Sequence, residues 1–189
     1  MSLRDQKNLA IRRAIQNAAL ELFESSGFRE VTISEIAEKA RCSKTSVYRL
    51  FQSKEQLILW DEVDSTIERH LTKILGKVPP FDALHQAFLD AYADLPEPSL
   101  RLLARRSRLI NSVPEVLGVM AAGLEADRKE LQEALFAAYP NPPLELDLIT
   151  RFALAALVAG IDTWLENGAG DDILTCIDQT FKTARNALA

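Results

Sequence analysis

Apolar residues recur along this chain at three- and four-residue intervals, and no stretch alternates with a period of two. The pattern predicts an all-α protein of about nine helices. A first helix over 8–25 places Ile11, Ile15, Ala18, Leu22 and Phe23 on one face, and Gly27 supplies the stop. Two short helices follow. Thr32 and Glu35 stand at capping-box spacing, and Ser43 opens the second helix, over 43–50, as an N-cap. Ser53 and Gln56 repeat the box and predict one longer helix over 53–75, broken by Gly76 and the prolines at 79 and 80. Further helices are expected over 81–95, 99–111, 112–138 (Ser112 capping, with Pro114 and Glu115), 144–166 and 171–188 (Asp171 capping).

The segment 32–55, TISEIAEKARCSKTSVYRLFQSKE, carries the chemistry. Ile33, Ile36, Ala37 and Ala40 line one face, and Val47, Leu50 and Phe51 turn inward. Lys44, Thr45, Ser46, Tyr48 and Arg49 are left outward. Two cations, two hydroxyls and a phenol without a carboxylate suit a polyanion. The arrangement reads as a helix-turn-helix whose second helix, opened by Ser43, enters a DNA major groove. Lys44 or Arg49 could recognise guanine, and Thr45 could touch a thymine methyl group. Thr32 and Lys54 stand at helix starts, where free N–H groups suit phosphate. Arg4 and Lys7 are candidates for a phosphate strand or the minor groove. Cys42 is either a small structural thiol or a redox-sensitive one.

Taken in order, Ile15, Ala18-Ala19, Leu22-Phe23, Gly27-Phe28, Val31-Thr32, Ile36-Ala37, Ala40, Ser43, Tyr48, Phe51 and Ser53-Lys54-Glu55-Gln56-Leu57 resemble the TetR family of transcriptional regulators. About fifty of the 189 residues carry the resemblance. It implies phosphate contacts at Tyr48 and Lys54, a homodimer, and an effector pocket in the helices that follow. One position departs from the family: Arg41 stands where Gly is usual. A left-handed turn is easy for Gly and strained for Arg. Either the turn differs here or Arg41 bears the strain while reaching a phosphate.

Net charge is −5, which at first argues against nucleic acid. Its distribution reverses that argument. Residues 1–55 hold ten Lys/Arg against seven acids, or +3, and the rest of the chain carries −8. A basic head on an acidic base is the asymmetry of a DNA reader, with domains expected at 1–52 and 53–189. Two distant cysteines, Cys42 and Cys176, in no metal-ligand spacing suit a reducing cytoplasm. The apolar run 152–161 is too short for a bilayer, which needs about 20 residues, so a soluble, cytoplasmic protein is expected.

That run is apolar all round, so both of its sides need cover. Phe152, Ala153, Ala156, Gly160 and Trp164, with Ile177 and Phe181 of the last helix, read as a two-helix dimer seam. The effector pocket implied by the resemblance would draw on Trp60, Phe88, Tyr92, Leu103, Ile110, Leu117, Met120 and Leu124, which suit a small, mostly apolar molecule. Arg101, Arg105, Arg106 and Arg108 cluster on the helix over 99–111, which holds no acid, and form either a solvated face or a site for an anionic effector. No catalytic constellation, phosphate loop, metal set or cofactor motif emerges: His85 has Asp82 three residues earlier, but His70 has Ile67. The expected function is sequence-specific binding of double-stranded DNA at an inverted repeat by a homodimeric repressor released by an effector. The alternative is an activator, or a regulator with no effector.

Overall fold

Polar side chains decide where the short helices begin. The computed structural model describes residues 3–170 and 172–188, and among them ten helices and no strand. α1 (Leu3–Ser26) ends at Gly27, whose backbone sits at φ +87 and whose N–H reaches the Phe23 carbonyl at 2.9 Å. α2 (Ile33–Lys39) starts in a complete capping box: the Thr32 hydroxyl accepts from the Glu35 N–H, and a Glu35 carboxylate oxygen accepts from the Thr32 N–H at 2.7 Å. α3 (Lys44–Leu50) starts at Ser43, whose hydroxyl accepts from the Ser46 N–H at 3.1 Å.

The turn between α2 and α3 resolves the question posed by Arg41. Arg41 adopts φ +53, its N–H reaches the Glu38 carbonyl at 3.0 Å, and the Cys42 N–H reaches Ala37 at 2.9 Å. These two bonds are the Schellman pattern that normally ends on glycine. The turn is therefore the usual one, and Arg41 bears its strain.

The single helix expected over 53–75 is two. α4 (Gln56–Leu59) stops at Trp60, and α5 (Asp64–Ile74) starts afresh. The Gln16 side-chain amide donates to the Trp60 carbonyl at 2.8 Å, and Arg106 donates to the Leu59 carbonyl at 2.9 Å. Both carbonyls are taken by side chains rather than by the next helical turn. Ser53 keeps half of its predicted box, accepting from the Gln56 N–H at 3.3 Å. At Ser112 no box forms, because its hydroxyl donates back to the Leu109 carbonyl. The predicted Asp171 cap and the Arg4 side chain lie outside the described residues.

The other helices follow the expected order: α6 (Pro80–Ala93), α7 (Glu97–Ser112), α8 (Pro114–Ala138), α9 (Pro143–Glu166) and α10 (Ile173–Leu188). The chain divides into two compact units. One comprises residues 1–60 with 100–121, and the other 61–99 with 122–189. The first is thus larger than a 1–52 domain, since Leu109, Val113 and Val116 join Ile15, Phe23, Ile36, Val47 and Phe51 in its core. In the second, α9 and α10 pack closely, and the aromatic ring of Phe181 lies against Phe81, Phe88 and the His85 imidazole. Among the described residues no single helix is long and apolar enough to cross a membrane.

Candidate nucleic-acid interface

Seven residues make barely two helical turns, so α3 needs its neighbours to hold it. Val47 and Phe51 are buried in the core of the first unit, and Leu50 is half-buried against it. This anchoring turns Lys44, Thr45, Tyr48 and Arg49 outward at positions i, i+1, i+4 and i+5, one face of the helix. Tyr48 is 61% exposed, unusual for a large aromatic ring with a core so near. Among the described residues no ion pair engages Lys44, Arg49 or Arg41. The face offers cations, a phenol and a hydroxyl to whatever approaches, and no carboxylate stands on the helix.

The other expected contacts are already engaged within the protein. The Thr32 hydroxyl and N–H are both given to Glu35. The Ser43 and Ser46 hydroxyls lie 2.9 Å apart at the α3 cap, and Ser46 is half-buried. Lys54 donates to the Arg29 carbonyl at 3.2 Å, and its ammonium lies 4.6 Å from the centre of the Phe28 ring. Lys7 lies within α1 rather than on a free arm. Cys42 is half-buried, and burial pushes its thiol above the usual range, away from reactive thiolate.

The arginine cluster of α7 is neither a bare solvated face nor a group without acids. Arg105 makes a two-pronged pair with Glu24 of α1, at 2.9 and 2.6 Å, and donates to the Asn17 side chain at 2.7 Å. Its acid lies 81 residues away, so no local reading of sequence could find it. Arg29, in the loop after α1, likewise pairs with Glu115 at the start of α8. Hydrogen bonding to Arg29 holds the Glu115 carboxyl below its ordinary range.

The residues expected around an effector fall into both units. Trp60 and Ile110 are packed on the core of the first, where Trp60 meets Phe51 edge-on at 6.0 Å, and Leu103 is buried. Met120 is half-buried and Leu117 exposed, both also in the first unit; Phe88 and Tyr92 are buried in the second, and Leu124 is exposed. Among the expected seam residues, Ala153, Ala156, Gly160, Trp164, Ile177 and Phe181 are buried within their own chain. Gly160 admits α10 of its own chain: a Cβ there would stand 2.8 Å from the Ile177 Cα. Phe152 alone of the seven is exposed, and Leu144, Leu148 and Val158 are exposed with it on α9. Asp82 pairs with Arg185 rather than with His85, whose Nε2 instead lies 3.3 Å from Asp178.

A tri-helical head with an exposed, cationic second helix of a helix-turn-helix defines a DNA-binding regulator. Comparison with known proteins makes this specific. Residues 15–59 match the family described as bacterial regulatory proteins, tetR family, and residues 78–189 match the MftR C-terminal domain. The chain belongs to the TetR family of transcriptional regulators, DNA-binding proteins that dimerise. No curated protein matches its sequence. Several solved structures share the fold. NalD, the secondary repressor of the MexAB-OprM multidrug efflux pump in Pseudomonas aeruginosa, is 23% identical, with 95% of this chain and 96% of that one covered and a TM-score of 0.57. FadR from Bacillus subtilis, solved with stearoyl-CoA, is 17% identical, with 90% and 96% covered and a TM-score of 0.53. The fatty acid degradation regulator FadR from Bacillus halodurans is 16% identical, with 92% and 93% covered and a TM-score of 0.55.

Proposed function

We propose that this chain is a homodimeric, cytoplasmic repressor that holds an inverted-repeat operator until a small, mostly apolar effector releases it. The observation that carries the reading is the outward face of α3, where Lys44, Thr45, Tyr48 and Arg49 stand together on a helix that holds no carboxylate. Arg49 and Lys44 suit guanine edges, and Thr45 a thymine methyl group. Tyr48 suits a flanking phosphate, as does Arg41 in the turn between α2 and α3. One such helix reads too few bases to select a site, and a second copy roughly doubles the binding free energy.

The exposed apolar row of α9, Leu144, Leu148, Phe152 and Val158, supports the two-fold partner. Two heads so joined meet half-sites about one helical turn apart, ~34–36 Å. The effector must bind one head spacing better than the other, because a ligand indifferent to the two states shifts nothing. α4 and α5 are separate helices, and this reading does not call on one rigid helix to swing the head.

Selection of bound sequences from a random duplex pool tests the proposal. An enriched inverted repeat is the expected outcome. Replacing both Lys44 and Arg49 with Glu should abolish retardation of that duplex, a loss of at least about a hundredfold, while sedimentation still reports the wild-type oligomer. Undiminished retardation by the double variant would sink the assignment of α3.

A further inference from the structure

We propose that residues 60–63, between α4 and α5, form a switch: the two helices join into one when the side chains that hold them apart let go. The proposal rests on the DNA-binding reading above and adds a regulated joint behind the reading head.

A helix commonly stops at a residue unable to continue it, and here there is none. Trp60, Asp61, Glu62 and Val63 include neither Gly nor Pro, and Leu57, Trp60, Val63, Ile67 and Leu71 keep helical spacing straight across the gap. Val63 is already helical, at φ −70 and ψ −28. Trp60 has a helical φ of −57 but a ψ of 126, which turns the chain out of the helix.

The break is held by side chains from elsewhere. In an unbroken helix the Val63 N–H would reach the Leu59 carbonyl, and the Asp64 N–H the Trp60 carbonyl. Three of these four groups are intercepted: Arg106 donates to the Leu59 carbonyl at 2.9 Å, the Gln16 amide donates to the Trp60 carbonyl at 2.8 Å, and the Asp61 carboxylate accepts from the Val63 N–H at 3.0 Å. Gln16 is buried, so water cannot replace the acceptor that its amide has found. The Trp60 ring is fixed as well, edge-on to Phe51 and with the Arg12 guanidinium 5.7 Å from its centre.

Joining exchanges side-chain hydrogen bonds for backbone ones of similar strength, which keeps the two forms close in free energy. Arg106 belongs to α7, so α7 governs the joint. A ligand that draws Arg106 away frees the Leu59 carbonyl and favours the joined form. Residue 60 is also where the chain leaves the first compact unit, so the change falls where the head ends.

Two replacements of one residue test this on the whole protein. Asp61→Ala and Asp61→Pro both remove the bond to Val63 and carry the same charge, but only alanine lets the helices join. Proline disfavours the α region at the residue before it, and Trp60 already lies outside that region. Hydrogen exchange at the Val63 and Asp64 amides should be at least about tenfold slower in Asp61→Ala than in Asp61→Pro, because only the joined form protects them with helical bonds. Equal exchange in the two would overturn the proposal. Arg106→Met provides a second route that leaves Asp61 in place. It should slow the Asp64 amide at least about threefold relative to wild type, and unchanged or faster exchange there would also count as refutation. Affinity for the duplex enriched from the random pool should differ between Asp61→Ala and Asp61→Pro by at least about threefold, in either direction. Equal affinities beside unequal exchange would mean a joint that regulates nothing, and the switch would fall. Should the wild type enrich no duplex even at low salt, the DNA-binding reading fails on that result, and exchange alone decides whether the helices join.

Discussion

The two halves of this molecule hold their helices by different means. α2 and α3 run seven residues each, below the length at which a helix stands alone in water. They persist because Ile36, Ala37, Val47 and Phe51 anchor them in the core, and through polar devices: the Thr32–Glu35 box, the Ser43 cap, the Lys39–Glu21 pair and the bond from Lys54 to the Arg29 carbonyl. α9 runs 24 residues and α10 sixteen, and they are joined by apolar contact close enough that Gly160 rests on the Ile177 backbone. In the head, Thr32, Ser43, Lys54 and Arg105 are occupied with holding the chain together, and the side chains left outward on α3 are the surface proposed to meet DNA. In the body, α9 instead leaves Leu144, Leu148, Phe152 and Val158 exposed, an apolar row where the head shows cations. The comparison teaches that a residue's outward chemistry counts only after its structural duties are subtracted.

If that contrast is right, the body should be sensitive to volume and the head to hydrogen bonding. Gly160→Ala should be the most damaging single change, destabilising the protein by about 1–3 kcal/mol in urea unfolding, since backbone rather than a flexible side chain opposes the new Cβ. Equal stability of the two proteins would refute close approach of α9 and α10. Thr32→Ala, which adds no volume anywhere, should still cost about 1 kcal/mol by removing the α2 cap. Arg41→Gly runs the other way. Relieving the left-handed turn should stabilise the protein by up to about 1 kcal/mol, and a loss instead would show that the Arg41 side chain does more than tolerate its turn.

The mildest effect concerns pH. Burial against Phe181 lowers the His85 pKa, outweighing the pull of Asp178 in the opposite direction. Above the ordinary imidazole range, near pH ~6.5, His85 is neutral in both folded and unfolded chains and adds no pH dependence. As pH falls through that range the unfolded chain takes up the proton first, so stability declines toward the lower folded pKa. Tm should therefore drop between about pH 7 and pH 5, and His85→Gln should flatten that limb. An unchanged limb in the variant would place the titration elsewhere.

Much of this was legible before any fold was known. The caps at Thr32 and Ser43 and the stop at Gly27 are local hydrogen-bond chemistry, complete within four or five residues of chain. Spacing alone put Val47 and Phe51 inside and Tyr48 outside. The break at Trp60 was not legible, because the groups that end α4 belong to Gln16 and Arg106, 44 and 47 residues distant. The partner of Arg105 was hidden for the same reason. Ala153, Ala156 and Gly160 announced close approach by a helix, and nothing in their order could say whose.

By itself, the sequence determined the helix starts, the apolar faces and the cationic dress of α3, since each depends on residues one or two turns apart. Tertiary structure alone decided which of those polar groups remained available. Ion pairs and hydrogen bonds between distant segments form only when the chain has folded, and they engaged Lys54 and Arg105 within the protein while leaving Lys44, Tyr48 and Arg49 to face outward.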